Sequence, residues 1–289
     1  MSTPYVIATD AARAYVELGY DRTVIPSEVD LLERVVGGRC ERDVIERAAA
    51  NSKPKVPHAM IRVTPSARRT PFGRALRVAA RAELCREVAR VGRSGGDLFL
   101  HWFSLCEHHL LTCFDTLGQE AGWLPFGNWL SSTESDHLVQ RQQAVSKDRA
   151  GQDSVADARA LLATYNARFG VLHAFRHYLL GVLTEGQRTA FLEHLRIDRR
   201  SRPGLEEVRG VSEEAKIDYL FRIRNEYTHD AEPGRAFEPL HGNPAAPWAL
   251  REQIDSEREL KSIYVRDWFN ALDTAVADGL ANRIRALAS

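Results

Sequence analysis

Cysteine, methionine and lysine are scarce in this chain: four, two and five respectively among 289 residues. Cys40, Cys85, Cys106 and Cys113 are too sparse to staple a chain of this length, so a disulfide framework is excluded and free thiols are expected. Long apolar runs are missing as well. No window approaches the roughly 18 apolar residues of a membrane span, and Met1-Ser2-Thr3-Pro4 opens without a basic segment and apolar core. No membrane association is expected, and the cytoplasm is the expected location. The glycine-rich phosphate loop, the serine elbow and the dinucleotide fingerprint are all lacking, which removes the commonest nucleotide-binding and hydrolase signatures. There is no net charge, since 39 basic and 39 acidic residues cancel.

What remains is a globular composition, 44% hydrophobic and long enough for two domains. The most linker-like stretch, Gly92-Arg93-Ser94-Gly95-Gly96, divides an expected amino-terminal domain of unassigned role, 1–92, from a helical domain, 97–289. The first carries helix-like patterns at Thr9–Leu18, Glu28–Val36 and Arg42–Ala50, a strand-like His58–Val63 and an arginine-rich helix. The second shows helical patterns at Asp97–Leu117, Val155–Leu183, Glu185–Leu195, Glu213–His229 and Ser256–Leu287, the last interrupted near Gly279. The 120s and 130s, with Trp123, Pro125, Gly127 and Trp129, read as a loop, and Gln140–Asp153 as a charged mobile segment. A mainly α fold follows: a helical bundle in the carboxy-terminal two-thirds beside a smaller, mostly α or α+β, amino-terminal domain.

Overall neutrality hides a polarised chain. Nine arginines from Arg62 to Arg93 share their segment with only two acids, Glu83 and Glu87. Arg74, Arg77 and Arg81 fall on one side of the predicted helix, where they suit a phosphate backbone. The competing reading is an ordinary arginine-rich helix that spends its charge on its own fold. The smaller cluster Arg196, Arg199, Arg200 and Arg202 invites the same two readings.

His101, Cys106, His108, His109 and Cys113 crowd another helix, and Cys106, His109 and Cys113 share a face. That spacing is neither a zinc finger nor a zinc ribbon, and the helix is densely apolar, so core packing is the expected role. His173 and His177 lie one turn apart but lack the glutamate of a metalloprotease motif. No metal and no cofactor is expected.

Ser212 to His229 reads as a helix, with Ser212 as N-cap, Glu213 and Glu214 at the positive end of its dipole, and Pro233-Gly234 beyond its end. At about 100° per residue, Asp218, Arg222, Asn225 and His229 form one polar ridge, and Ile217, Leu220 and Phe221 an apolar stripe beside it. Arg224 lies along the apolar stripe, where a guanidinium is costly to bury without an anion or a carbonyl to meet it. A phosphate or an acidic partner is therefore implied.

An arginine and a histidine separated by four to six residues is a weak pattern by itself, and Arg168/His173, Arg188/His194 and Arg235/His241 satisfy it too. Context singles out Arg224-Asn225-Glu226-Tyr227-Thr228-His229 after Tyr219-Leu220-Phe221-Arg222-Ile223. This stretch resembles the signature of the HEPN superfamily of all-α ribonucleases and RNA-binding proteins. The resemblance implies that Arg224 holds and neutralises a phosphate, that Asn225 orients the phosphate or the imidazole, and that His229 acts as acid or base. The nucleophile would be RNA's own 2′-OH, so no metal is needed. Arg222 and Asp218 are supporting candidates, and Arg222 is the second choice for the motif arginine because it shares the face of His229. Family sites are commonly composite, which implies a homodimer. The resemblance also implies a toxin or phage-defence role with a regulatory or antitoxin partner, although Ala231 stands where some family toxins carry a modifiable tyrosine. The alternative is a non-catalytic HEPN module that binds RNA or a partner protein.

Overall fold

The computed structural model describes residues 25–52, 70–94, 98–120, 124–145, 154–200, 207–208, 210–230, 238–239, 249–254 and 260–289. The expected Thr9–Leu18 helix and His58–Val63 strand lie outside them. The fold is mainly α, as its sequence predicts.

Helices α1 (Ile25–Val36) and α2 (Arg42–Asn51) form a hairpin. Val29, Leu32, Val35 and Val36 bury one face of α1. Gly37 and Gly38 then end it with φ of 56° and 79°, a backbone region that glycine enters without a Cβ penalty. Helix α3 (Pro71–Ser94) begins at a proline whose missing N–H costs nothing there, while the Thr70 hydroxyl accepts from the Gly73 N–H at 3.0 Å. Its most deeply buried residues are small (Ala75, Val78, Ala79, Ala82, Cys85), which lets α4 (Leu98–Gly118) lie close against it. The carboxy-terminal helix α11 (Trp268–Ala288) packs on α1 to α4 through Leu272, Val276, Leu280 and Ile284.

These helices draw on one apolar core that runs from Val29 to Ile284. The break expected at Gly92–Gly96 is therefore not a boundary between separate cores. Gly92, Arg93 and Ser94 continue α3, and the residues before and after them bury their apolar faces on one another.

The expected loop around Trp129 is instead helix α5 (Phe126–Ser131), followed by α6 (Ser135–Val145) and α7 (Ser154–Phe169). Trp129, Tyr165 and Phe169 form a small core of their own, and the Trp129 indole N–H donates to Gln140 at 3.3 Å. Of the segment expected to be mobile, residues 140–145 complete α6, and the remainder lies outside the described residues. The expected Val155–Leu183 helix is interrupted at Gly170. It resumes as α8 (Val171–His177), which widens into a π-helical turn at Tyr178–Val182, and α9 (Glu185–Leu192) follows.

A sheet takes the place of the first part of the expected Ser256–Leu287 helix and includes stretches to which no element was assigned. Strands β1 (Leu195–Arg200), β2 (Glu207–Val208), β3 (Glu238–Pro239), β4 (Ala249–Ile254) and β5 (Leu260–Val265) form a five-stranded antiparallel sheet in the order β2-β1-β5-β4-β3. Ile197 stands opposite Ile263 and Leu195 opposite Val265, all buried, so the controlling period here is two rather than 3.6. The expected Ser256–Leu287 helix thus starts at Trp268. It runs unbroken through Gly279, because that glycine is a packing site: a Cβ there would lie 2.4 Å from the Tyr178 hydroxyl.

A closer approach occurs at Gly118, where a Cβ would fall 1.8 Å from the Ala174 carbonyl oxygen of α8. Backbone cannot step aside as a side chain can. Gly118→Ala is expected to cost at least about 3 kcal/mol in denaturant unfolding. Gly127→Ala, which meets open space, is expected to cause no loss.

Candidate functional site

Helix α10 (Glu213–Asp230) carries the motif. The Ser212 hydroxyl accepts from the Ala215 N–H at 3.3 Å, and Lys216 reaches the Leu192 carbonyl at 2.8 Å, so the start of the helix is tied down. Ile217, Leu220 and Ile223 are buried, and the rings of Phe221 and Phe175 meet edge to face at 5.5 Å. This packing turns Arg224 toward α4.

There it meets Asp115. Arg224 Nε and Nη2 each lie 2.7 Å from the same oxygen, Asp115 Oδ2, with the two side chains 16% and 13% exposed. The acidic partner that the sequence required thus comes from the chain itself. Arg224 Nη1 donates to Asn225 Oδ1 at 3.1 Å, so the guanidinium also orients the amide beside it. Asp115 Oδ1 is buried and has no hydrogen-bond partner among the described residues.

Burial raises the Asp115 carboxyl from 3.8 to about 6, outweighing the nearby Arg224 and Arg81 guanidinium groups. The folded protein therefore takes up this proton at higher pH than the unfolded chain. Stability from this group is fully present below 3.8 and is lost as pH rises through about 6, by roughly 3 kcal/mol. In denaturant unfolding between pH 4 and 7, wild type is expected to fall relative to Asp115→Asn. A pH-independent gap would contradict this electrostatic account.

His108 of α4 borders the pair, and the His109 ring lies 5.9 Å from that of His108. Burial, then the neighbouring His109 and Arg224, push the His108 imidazole down to about 4, against a hydrogen bond involving the Arg224 backbone. Burial and Arg81 lower His109 likewise. Both rings are thus neutral at pH 7. Arg81 reaches across from α3, with Nη1 at 3.4 Å and 3.5 Å from the Thr112 and Thr116 hydroxyls.

The other expected residues divide. Arg222 is exposed on the far side of α10 from Asp115, and Asp218 is exposed and paired with Arg176 at 2.6 Å rather than with Arg224. His229 lies in the last turn of α10, one turn beyond Asn225, and its side chain lies outside the described residues. Of the arginines of α3, Arg74, Arg81 and Arg86 are spent on the fold, whereas Arg90 is exposed. Arg74 is 8% exposed and donates to the Gln119 carbonyl, and Arg86 pairs with Asp273 at 2.9 Å. Packing of α3 against α1, α4 and α11 turns these side chains inward.

Cys106, Cys113 and Cys85 are core residues. The Cys113 thiol donates to the His109 carbonyl at 3.2 Å, and burial pushes it up to about 12, which disfavours the thiolate a metal would need. His177 Nδ1 lies 2.7 Å from the Gly118 carbonyl oxygen. The His101 side chain lies outside the described residues.

Sequence reading missed Asp115, and it noted His108 in a His/Cys cluster without placing it beside Arg224. The signal for Asp115 was available: α4 has only two acids, and the other, Glu107, accepts from the Trp268 indole N–H at 2.7 Å. No protein-family model, curated protein or solved structure matches this chain.

Proposed function

We propose that this protein is a metal-independent endoribonuclease of the HEPN kind, using Arg224, Asn225 and His229. The observation that carries the proposal is the preset Arg224–Asn225 pair, held by Asp115 on the helix whose last turn contains His229. A polar constellation fixed by a rigid scaffold can stabilise developing charge without reorganising.

In this reading the 2′-OH of RNA attacks the adjacent phosphorus and the 5′ oxygen leaves, giving a 2′,3′-cyclic phosphate. His229 moves a proton as base or acid, because imidazole titrates near neutrality. Arg224 offsets charge on the phosphorane through its guanidinium, and Asn225 orients the phosphate. Asp115 is a positioning residue. Two copies of α10 facing one another in a homodimer would complete the cleft. A toxin or defence effector in the cytoplasm, restrained by a regulatory protein partner, is the biological setting that fits such an activity.

One observation favours a second reading, a non-catalytic module that binds RNA or a protein. Asp115 occupies two donors of the Arg224 fork that a phosphate would otherwise engage. The two readings separate in one assay. Mixed RNA is incubated with the protein in EDTA, and the product ends are analysed. Metal-free cutting to cyclic-phosphate ends establishes the enzyme. RNA or partner binding without cutting selects the module.

A further inference from the structure

Two cysteines that take no part in the site above face each other across the contact of α3 with α4. The Cys85 thiol lies 3.9 Å from the Cys106 carbonyl oxygen, and the Cys106 thiol lies 3.9 Å from the Cys85 carbonyl oxygen. These reciprocal contacts set each side chain over the other's backbone. Contact with the Cys106 thiol, together with burial, holds the Cys85 thiol well above its ordinary range. Both are free thiols, 1% and 3% exposed.

The register of α3 on α4 supports this pairing independently. Arg74 reaches the Gln119 carbonyl at 3.3 Å, just past the end of α4, and Arg81 reaches the Thr112 hydroxyl at 3.4 Å. Along α3 the contact positions rise from 74 through 81 to 85, while their partners fall from 119 through 112 to 106. The two helices are therefore antiparallel, and Cys85 meets Cys106 in the register that the arginines set. Ala79 and Ala82, both buried, let the helices come close beside Cys85. Thiols already in contact reach the disulfide length of about 2.05 Å by small rotations about their own Cα–Cβ bonds.

We propose that Cys85 and Cys106 are an oxidisable pair that joins α3 to α4 through a disulfide. The oxidant is a peroxide, small and uncharged enough to enter a packed core during local opening. One thiolate of the pair attacks a peroxide oxygen, the O–O bond breaks, and a sulfenic acid and water result. The second sulfur attacks the sulfenic sulfur; the S–S bond forms, the S–O bond breaks and another water leaves. Two electrons pass from the sulfurs to the peroxide oxygens, and the two thiol protons end in the waters. Burial keeps the pair inert toward bulky or charged reagents and shields the bond once formed. The bridge fastens the helix that carries Arg81 to the helix that carries Asp115 and His108. The pair stands independently of RNA cleavage at Arg224.

The test treats the folded full chain with hydrogen peroxide, blocks the remaining thiols with N-ethylmaleimide in denaturant, and maps proteolytic peptides without reduction. Wild type is compared with Cys113→Ser, with Cys85→Ser and with wild type oxidised in denaturant. Cys113 is the informative control because it lies two turns past Cys106 on the same helix. Its thiol donates to the His109 carbonyl at 3.2 Å, a bond that a serine hydroxyl can keep.

A single bridged peptide joining Cys85 to Cys106 is expected in wild type and in Cys113→Ser, with Cys40 still free, and dithiothreitol should reverse it. Oxidation in denaturant is expected to give mixed pairings instead. The bridge spans a separation of 21 residues and constrains the unfolded chain, so it is expected to raise the unfolding temperature by roughly 5 °C. That rise should vanish on reduction and be absent from Cys85→Ser, which controls for oxidation elsewhere. If Cys113→Ser does not fold, the wild-type peptide map decides by itself. Cys85 joined to Cys113 or to a second chain overturns the proposal. So does a bridge that appears only in denaturant while the folded chain keeps all four thiols.

Discussion

Arg224→Ala and His229→Ala are each expected to slow metal-free RNA cleavage by about 10²–10⁴-fold. Arg224 would act in the transition state by offsetting charge that the ground-state phosphodiester has not yet developed. Its loss should therefore appear mainly in kcat. Arg222→Ala is the discriminating control: that side chain is exposed and lies across α10 from Asp115. If Arg222→Ala loses kcat as severely while Arg224→Ala keeps it, the catalytic arginine is Arg222 and the Asp115–Arg224 pair serves the fold. Single-turnover rates at saturating RNA separate these outcomes, provided circular dichroism shows each variant folded.

Asp115→Ala is expected to destabilise the protein by about 3–5 kcal/mol at neutral pH, read as a lower denaturant midpoint with an unchanged slope. The aspartate provides the acceptor for two Arg224 donors at a position only 13% exposed, and removing it leaves a partly buried guanidinium without its counter-charge. Arg224→Met should cost less, because an unpaired Asp115 can escape by binding a proton, as its carboxyl already tends to do near pH 6. The double variant should recover much of the loss, since an apolar pair in place of a buried ion pair is often close to neutral. Independent effects that simply add would show that the two residues do not stabilise each other. Recovery of stability without recovery of cleavage would instead mark the pair as kept for chemistry rather than for folding.

The sequence alone determined the helical character of the chain, the lack of a helix long and apolar enough to span a membrane among the described residues, and the extent of α10. Each depends on local periodicity and composition. Ser212 caps α10 where it was expected to, and Arg224 meets an acid because its place on an apolar stripe demanded one. The same logic failed for Leu260–Val265, expected to be helical, and assigned nothing to its partner Leu195–Arg200. Those short segments become strands because they can pair with each other across about 65 residues of sequence, in a register that local pattern does not encode.

Only the tertiary structure decided which acid answered Arg224, because Asp115 lies 109 positions away and reaches it through the packing of α4 on α10. It likewise turned Arg74 and Arg81 inward, since a helix wheel gives the angle between side chains but not which angle faces the core. It also joined the segments on either side of Gly92–Gly96. A glycine-rich stretch marks where a chain can bend, whereas a domain boundary depends on whether the surfaces flanking it bury each other, as α3 and α4 do.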